Sequence, residues 1–590
     1  MKKILLSVLA FVSLSMTAQT VCQPFALTDV KLLPSRFQRN MQRDSAWIAS
    51  IPVNRLLHSF RNTAGVFSGK EGGYDDRLKL GGWESLDCDL RGHITGHLLS
   101  AMANLQMKQK ADSLVQGLAE VQKQYGTGYL SAFGEGLIDR NLAGKGGVWA
   151  PWYTLHKILQ GLIDQYNMCG NEKALEIAKG MGDWAYNKTK DLTDEQRQKA
   201  IRNEFGGFNE AMYNLYAITK EEGSEDQASK YLKVARFFYH NDKIDPLKLG
   251  NNDLGTNHAN TFIPKLLGEC RNYELFGTED SRQAATLLYN TLVNDHAFVT
   301  GEVSDKEHLF KPETQSKHLT GYDGENCCTY NLLKLADRLF TYQPDSKIAD
   351  YYERALYNHI LGQQDTLTSM VCYFTPLMTG GYRLYSTRND SWWCCVGSGF
   401  ESHAKYQSSI YFHNDKELYV NLFIPSELNW NGTIIRQETV FPESNKSMIT
   451  ASSMINMKVR YPYWATYVKV NGKKVKADKE GYVLIKNTKK VEIEFGMSLR
   501  EEATKDDPSR VALLYGPIVL GGRLAEVAHP FSDPTKHNDY YTFDYGKYAD
   551  IKLGEVKHLG GLRFESNGVQ IAPFYDLQHC RYVVYWKRFK

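Results

Sequence analysis

Cysteine is scarce in this chain, dense basic runs are absent, and no long apolar run follows the N-terminus. Only 10 of the 590 residues are cysteine, and they are scattered, which excludes a disulfide framework as the basis of the fold. Lys and Arg number 70 against 67 Asp and Glu, a net charge of +3, so a nucleic-acid partner is not expected. Since no later apolar run reaches about 20 residues, no membrane span is expected either.

The N-terminus has the pattern of a secretory signal. Residues 1–3 are basic at Lys2 and Lys3, residues 4–16 are apolar, and Thr17-Ala18 places small residues near a cleavage point. We predict a signal peptide over residues 1–20 and an exported protein, either periplasmic, secreted or at the cell surface. A lipoprotein cut before Cys22 is the weaker alternative, because Val21 is a poor residue before such a cut.

Residues 90–410 show the i, i+3, i+4 apolar spacing of helices. The predicted helices are 148–169, 172–188, 194–220, 226–240, 258–276, 280–294, 329–342 and 345–364. Polar or glycine-rich clusters recur beside every other helix, at 81–84 with 91–93, 149–152 with His156, 206–210, 257–260 and two cysteine clusters. Six helical hairpins with polar residues at one end predict an (α/α)6 barrel whose mouth binds a ligand.

After about residue 410 the pattern changes to the period-two alternation of strands. Predicted strands are 417–424, 454–461, 467–475, 482–485 and 490–495, with turns at Asn471-Gly472 and Glu480-Gly481. Segments 510–520 and 568–586 indicate a second, smaller β unit. The fold class is therefore mainly α with β: a barrel over 24–408, then antiparallel β-sandwich domains over 409–505 and 506–590. The segment before about residue 60 is expected to add strands to the second, smaller β unit or helix to the barrel.

Two pairs of adjacent cysteines offer a metal site. Glu325 precedes Cys327-Cys328 by two residues, and Cys394-Cys395 follow two tryptophans. One carboxylate and three thiolates, from Glu325, Cys327, Cys394 and Cys395, form a four-coordinate donor set suited to zinc. The alternatives are a disulfide between the clusters and buried free thiols.

Acid–base chemistry has a candidate just upstream. Glu307 lies in a polar loop beside Leu309-Phe310, where a half-apolar environment would favour the protonated carboxyl that an acid needs. Glu302 and Glu313 compete for the role, and an ordinary surface glutamate is the plain alternative. The pair His93 and His97 lacks the intervening glutamate of metalloproteases, which argues against a protease.

The motifs at 81–84, 91–97, 149–156, 306–308, 325–327, 353–358 and 393–395 together resemble bacterial β-L-arabinofuranosidases of glycoside hydrolase family 127 and its relative, family 146. The resemblance implies an (α/α)6 barrel with β-sandwich domains, and retaining, exo-acting release of L-arabinofuranose from plant-derived oligosaccharides or polysaccharides. It implies that Cys394 is the nucleophile, Glu307 the acid/base, and Glu325, Cys327, Cys394 and Cys395 the zinc ligands. His156, His258 and Glu353 would hold sugar hydroxyls.

Two positions depart from the family pattern. Cys328 stands where a small apolar residue is expected and is an alternative ligand to Cys327. Asn209-Glu210 stand at the third hairpin, where relatives place a sugar-binding histidine, so they are the substrate-binding candidates there. Two other functions stay open: a different barrel glycosidase or lyase with a structural zinc, and a non-catalytic glycan-binding protein.

Overall fold

A computed structural model describes residues 20–68, 77–202, 204–533 and 539–588. The predicted signal peptide therefore lies outside the described residues, apart from residue 20. Helices fill most of the chain up to residue 403, and strands fill most of it after residue 411. Among the described residues, no helix is long and apolar enough to cross a membrane.

In the described chain, six helices form a closed inner ring. They are α1 His93–Asn104, α2 Pro151–Cys169, α3 Phe208–Glu221, α4 Ala259–Phe276, α5 Asn326–Tyr342 and α6 Cys394–His403. Each packs on the next, and α6 packs on α1. Ten successive residues of α1, from Ile94 to Ala103, are buried, as expected of helices enclosed on all sides. This ring confirms the barrel.

The outer helices are amphipathic and bury one stripe each. They are Arg36–Ser50, Val53–Ala64, Lys108–Tyr125, Glu172–Thr189, Glu225–Phe237, Glu279–Thr291 and Ser346–Ala355. Shorter α-helices are Gly136–Leu142, Asp194–Ala200, Asn241–Lys248, Leu361–Gln363 and Asp539–Thr542. Single turns of 3-10 or π type are Leu27–Asp29, Gly82–Glu84, Leu292–His296, Gln315–His318, Leu356–Ile360 and Phe574–Asp576.

The helix predicted over 194–220 is two helices, Asp194–Ala200 and α3. Gly206 interrupts them with a φ of +57°, which glycine adopts without strain. A Cβ atom at Gly206 would lie 2.6 Å from His156 Nδ1, so the backbone needs glycine to approach the histidine. The helical spacing continues across this break, which is why the sequence pattern missed it.

In the part of the chain that the structure describes, the first sheet has ten strands. They are Gln23–Pro24, Val30–Leu32, Tyr411–His413, Leu418–Val420, Ser426–Trp430, Thr433–Thr439, Lys446–Arg460, Val468–Val470, Lys473–Lys474 and Tyr482–Phe495. Two of them come from the N-terminal segment, where Gln23 is opposite His413 and Val30 opposite Leu428. That segment also supplies the helix Arg36–Ser50. It therefore contributes both strands and helix, but its strands join the first sheet and not the second β unit.

The strands predicted at 482–485 and 490–495 are one strand, paired with Lys446–Arg460. Register shifts between Ile485 and Lys490 mark a bulge, which disturbs the alternation locally and accounts for the predicted gap. Over the described residues a second sheet has eight strands. They are Leu499–Ala503, Arg510–Tyr515, Ile518–Glu526, Lys557–Gly560, Arg563–Ser566, Val569–Pro573, Cys580–Val583 and Tyr585–Lys587. Both sheets are antiparallel except where Leu418–Val420 runs parallel to Lys446–Arg460.

Candidate active site and metal centre

A cavity of about 410 Å³ lies where the N-terminal ends of α4, α5 and α6 meet. His258 caps α4, Glu325 caps α5, and Cys394 begins α6. The lining residues are Trp83, Leu90, Trp149, Tyr153, Arg202, Glu204, His240, Lys243, Asn257, His258, Asn260, Thr261, Lys265, Glu307, His308, Glu325, Tyr373, Cys394 and Tyr540. Helix N-termini carry partial positive charge, which favours anionic thiolate and carboxylate side chains here.

The four predicted metal ligands meet beneath this cavity. One donor atom each from Glu325, Cys327, Cys394 and Cys395 lies within 4.8 Å of all the others. Cys327 Sγ lies 3.4 Å from Cys395 Sγ and 3.0 Å from Ser398 Oγ. All ten cysteines are described, and all are free thiols, so the disulfide alternative does not hold. Cys328, the alternative ligand, is buried outside this group.

These four side chains are better suited to binding a cation than to hydrogen bonding with one another. Both carboxylate oxygens of Glu325 are buried and have no hydrogen-bond partner among the described residues. Burial, together with neighbouring Cys327, raises the pKa of Cys394 and of Cys395. Burial also opposes ionisation of Cys327, but hydrogen bonds from Cys394, Cys395 and Ser398 hold its pKa below the usual thiol value. An orphaned carboxylate beside three sulfurs is a donor set that a thiophilic divalent ion satisfies.

Glu307 reaches the cavity from a constrained loop. Its φ of +67° and the φ of +51° at Lys306 lie in the left-handed region, which is uncommon for residues with a Cβ. The loop is held by its backbone, because the Glu307 carbonyl accepts from Ala259 N at 2.8 Å and Leu309 N donates to Asn257 O at 2.9 Å. Strained backbone held this firmly is characteristic of functional sites. It fixes the Glu307 carboxylate at the N-terminus of α4.

Tyr373 links the carboxylate to a cysteine. Its hydroxyl donates to Glu307 Oε1 and lies 3.4 Å from Cys394 Sγ. On the other side, Glu307 Oε2 lies 3.6 Å from His258 Nε2. His258 Nδ1 accepts from Thr261 N, so its proton is on Nε2 and faces Glu307. Burial favours the neutral ring, but Glu307 and Glu204 raise the pKa of His258 above its usual value.

Aromatic rings form one wall of the cavity. Tyr540 stacks on Tyr373 with ring centroids 4.1 Å apart, and Trp83 lies against Trp149 at 4.9 Å and Tyr540 at 6.0 Å. Trp149 is 43% exposed and forms the outer edge of the wall. Flat aromatic faces of this kind suit the apolar faces of sugar rings. Tyr540 belongs to the C-terminal β region, which therefore contributes directly to the cavity.

His97 supports the site from below. Its Nδ1 lies 2.5 Å from Glu401 Oε1 and its Nε2 3.2 Å from the Tyr153 hydroxyl. Burial lowers the pKa of His97 to about 4, so the neutral ring donates from Nδ1 to Glu401 and accepts from Tyr153 at Nε2. The contact with α6 is close, since a Cβ at Gly397 would lie 2.3 Å from His97 Cδ2. This chain of hydrogen bonds orients Tyr153 toward the cavity.

Glu353 is not brought to the cavity, and its placement corrects the expected sugar contact. It is fully buried, with its carboxylate paired with Arg460 Nη2 and accepting from Trp464 Nε1 at 2.8 Å. These partners lie in the first sheet and its following loop, so Glu353 joins the barrel to the β region. The motif at 353–358 identified Glu353 in the sequence, but the packing of the sheet on the barrel decides which side chains it contacts.

Asn209 and Glu210 are likewise outside the cavity lining, which corrects their assignment as sugar contacts. Asn209 donates to Lys265 O at 3.1 Å. Glu210 pairs with Lys334 at 3.3 Å and Arg338 at 3.1 Å, inside the barrel. Their side chains are committed to helix–helix contacts along α3. His156 lies just beneath the Gly206 turn, where Nδ1 accepts from Gly207 N at 3.0 Å and Nε2 has no partner in the described chain, so its sugar contact stays a prediction.

Several lining residues were not predicted from the sequence. Tyr153, Glu204, Lys265, Tyr373 and Tyr540 reach the cavity from five separate stretches of chain. Tyr153 lies within the 149–156 motif and could have been found there. Tyr373 stands in an irregular segment and Tyr540 in a four-residue helix, and they are two of 36 tyrosines, so no pattern distinguished them.

Two family models match successive parts of the chain. Residues 29–408 match the model of the β-L-arabinofuranosidase GH127 catalytic domain, and residues 417–499 match that of the GH127 middle domain. A non-reducing end β-L-arabinofuranosidase of Bifidobacterium longum subsp. longum is 23% identical over 492 residues, which cover 70% of this chain and 71% of the relative.

Two solved structures share the fold over nearly the whole chain. One, described as a GH127 β-arabinofuranosidase, has a TM-score of 0.70 at 18% identity, covering 97% of this chain and 98% of its own. The other, a GH127 β-L-arabinofuranosidase from Geobacillus stearothermophilus T6, has a TM-score of 0.67 at 18% identity and covers 95% and 100%.

The barrel and its cavity are those of a glycoside hydrolase. Since the catalytic-domain match spans more than half of the chain, the protein belongs to the β-L-arabinofuranosidases of glycoside hydrolase family 127. Its resemblance to that family in the sequence motifs is thereby confirmed.

Proposed function

We propose that this enzyme releases L-arabinofuranose from the non-reducing ends of β-L-arabinofuranosides, with Cys394 as nucleophile and Glu307 as acid/base. The observation that carries the proposal is the Tyr373 hydroxyl, which contacts both Cys394 Sγ and the Glu307 carboxylate within one cavity. A nucleophile and a proton donor this close suit a retaining mechanism. The names of the matched relatives support the choice of sugar.

In the first step the Cys394 sulfur forms a bond to the anomeric carbon while the glycosidic C–O bond breaks. Glu307 gives its proton to the leaving oxygen. In the second step Glu307, now ionised, takes a proton from water, the water oxygen bonds to the anomeric carbon, and the C–S bond breaks. His258 Nε2, which lies 3.6 Å from Glu307 Oε2, helps to orient that carboxylate between these steps.

Glu325, Cys327, Cys394 and Cys395 would hold a zinc ion. Zinc supplies the positive charge that keeps buried thiols deprotonated, which matters because burial alone raises the pKa of Cys394. The protein's own contribution is to hold Cys394 at the start of α6 and to exclude bulk water with the aromatic wall.

Trapping tests the nucleophile directly. A thiol-reactive analogue of arabinofuranose, such as its cyclic epoxide, should label Cys394 in peptide mass spectra, and Cys394→Ser should lose nearly all turnover while staying folded. Labelling of Cys327 or Cys395 instead, or a Cys394→Ser variant with normal rates, would contradict the assignment. Cys169→Ser, on the far end of α2, is the matched control and should behave as wild type.

Leaving-group dependence tests the acid. Glu307→Gln should slow substrates with poor leaving groups by roughly 10²–10⁴-fold and activated aryl glycosides much less, because only the former need a proton at the departing oxygen. An equal loss on both would argue against this role.

The plant origin of the glycan and export to the periplasm or cell surface are part of the same proposal. For export, the support is the signal-like pattern of the N-terminal sequence alone. Detection of the mature chain beginning near residue 20 in a periplasmic or surface fraction would test it.

A further inference from the structure

One side of the cavity is basic, and none of the proposed chemistry uses it. Arg202, His240, Lys243 and Lys265, with Glu204, line this side; we call it the basic lobe. It holds three cationic side chains against a single carboxylate, since buried His240 is neutral. Its pKa is lowered to about 3 by burial and by the nearby lysines.

Lys265 is the central residue of the basic lobe. It is only 3% exposed, and its Nζ has no hydrogen-bond partner among the described residues. Its ammonium lies 3.6 Å from the centre of the Phe205 ring, next to Glu204 in the loop before α3. A helical side chain leans toward the N-terminus of its helix, so Lys265 reaches up from the second turn of α4 to the level of the cavity.

A buried ammonium without a hydrogen-bond partner is costly, and burial favours the neutral amine unless an anion lies beside it. The attraction of Glu204 opposes the effect of burial, but the pKa of Lys265 is still lowered to about 7. Burial of His240 Nδ1 without a partner adds a second unsatisfied polar atom to the same lobe. Sugar hydroxyls could accept a hydrogen bond from Lys265, but only an anion also balances the excess of positive charge.

The basic lobe also extends from the buried interior of the cavity to its exposed edge. Lys265 and His240 are buried, Lys243 is half-buried with its Nζ 2.6 Å from Asn257 Oδ1, and Arg202 is exposed. In the proposed exo action the arabinofuranose is terminal, so the leaving sugar is the unit that continues outward along this lobe. A carboxylate on that sugar would meet the ammonium of Lys265 as a point-charge partner.

We propose that the basic lobe binds the carboxylate of an acidic sugar, so that the preferred substrate carries its β-L-arabinofuranose on a uronic acid unit. This inference rests on the proposed arabinofuranosidase activity and specifies its substrate.

Two synthetic disaccharides test the inference: β-L-arabinofuranosyl galacturonic acid and its methyl ester. They share the leaving oxygen and differ in one charge. For the wild-type holoenzyme we expect kcat/KM to be roughly 10–100-fold higher on the acid, the range of a charged hydrogen bond. Lys265→Met, similar in length but neutral, should reduce the acid-to-ester ratio to near 1. The ratio cancels any general loss of activity.

Lys230→Met, at an outer-helix lysine near the Tyr186 ring, is the matched control and should keep the wild-type ratio. If Lys265→Met does not fold, Lys243→Met replaces it and should lower the ratio several-fold. A wild-type ratio near 1, or a ratio that Lys265→Met and Lys243→Met leave unchanged, would overturn the inference.

Two further measurements separate this inference from the proposed function. Failure to hydrolyse 4-nitrophenyl β-L-arabinofuranoside, which lacks a carboxylate, would refute the proposed function. Calorimetric titration with galacturonate and its methyl ester tests the lobe without turnover. Tighter binding of galacturonate that Lys265→Met abolishes supports the lobe, and equal binding of the two refutes it.

Discussion

Two buried glutamates, Glu325 at the metal centre and Glu353 between barrel and sheet, have the same burial and opposite surroundings. Both are at most 1% exposed. Glu353 is bound by Arg460 and Trp464, whereas neither oxygen of Glu325 has a partner in the described chain. A buried carboxylate normally needs such partners, so the one that lacks them marks a place for a cation.

The difference shows that burial alone does not identify a functional carboxylate. Glu353 was expected to contact sugar because of its motif, yet its partners make it structural. Glu325 stands out because three sulfurs, which cannot neutralise it, lie within 4.8 Å of one of its oxygens.

Replacing Glu325 should have the largest effect. We expect Glu325→Gln to weaken metal binding by more than the roughly 100-fold that loss of a merely supporting group causes, and to abolish activity with it. The metal-free variant should be no less stable than metal-free wild type, because no protein contact is lost. Metal analysis and denaturation of both forms check this. A variant that retains stoichiometric metal would remove Glu325 from the ligand set.

Replacing Glu353 should give the opposite result. In the described chain, Glu353→Gln leaves the buried Arg460 with Asp350 as its remaining counter-charge, so we expect a loss of about 3 kcal/mol in unfolding free energy. Metal content and kcat per folded molecule should stay normal. Glu438→Gln, in an exposed pair with Arg436, is the control and should have no measurable effect. Loss of sugar affinity with unchanged stability would restore the original assignment.

Removing one hydroxyl should have a smaller effect within the site. Tyr373→Phe loses the donor to Glu307 and the contact to Cys394, and we expect kcat/KM to fall roughly 10–100-fold, the cost of a hydrogen bond to a charged group. Tyr322→Phe, whose hydroxyl donates to Phe543 O instead, is the control. Equal rates in the two variants would show that Tyr373 serves only to pack.

The last effect appears only as the pH falls, and it concerns burial without a charged partner. His403 lies between Tyr406 and Gln363, and burial lowers its pKa to about 3. As the pH falls below about 6.5, His403 becomes protonated in the unfolded chain before it does so in the folded protein. The stability gained by burying the neutral ring is therefore fully present above that pH and declines toward pH 3. The slope is at most about 1.4 kcal/mol per pH unit.

Urea denaturation of metal-saturated protein at pH 7, 6 and 5 should show less pH dependence in His403→Gln than in wild type. His558→Gln, at an exposed histidine, should match wild type. An unchanged slope in His403→Gln would mean that His403 is already protonated in the folded protein.

Periodic features of this protein were predictable, and long-range pairings were not. The hairpin repeat predicted the barrel. The ligand chemistry of Glu325 and the three cysteines predicted that these side chains lie together, because metal-binding groups of this kind seldom cluster by chance. The Glu353–Arg460 pair could not be foreseen, since it depends on how a sheet packs on the barrel. Tyr373 and Tyr540 were missed for a similar reason, because an irregular segment and a four-residue helix are too short to show a pattern.

The strands near residues 23 and 30 complete a sheet whose other members begin at residue 411. During synthesis these first strands have no partners until most of the chain has been made. Pairing across such a separation forms slowly. The N-terminal segment must therefore be kept from mispairing for longer than any other part of the protein, which is a reason to place purification tags at the C-terminus.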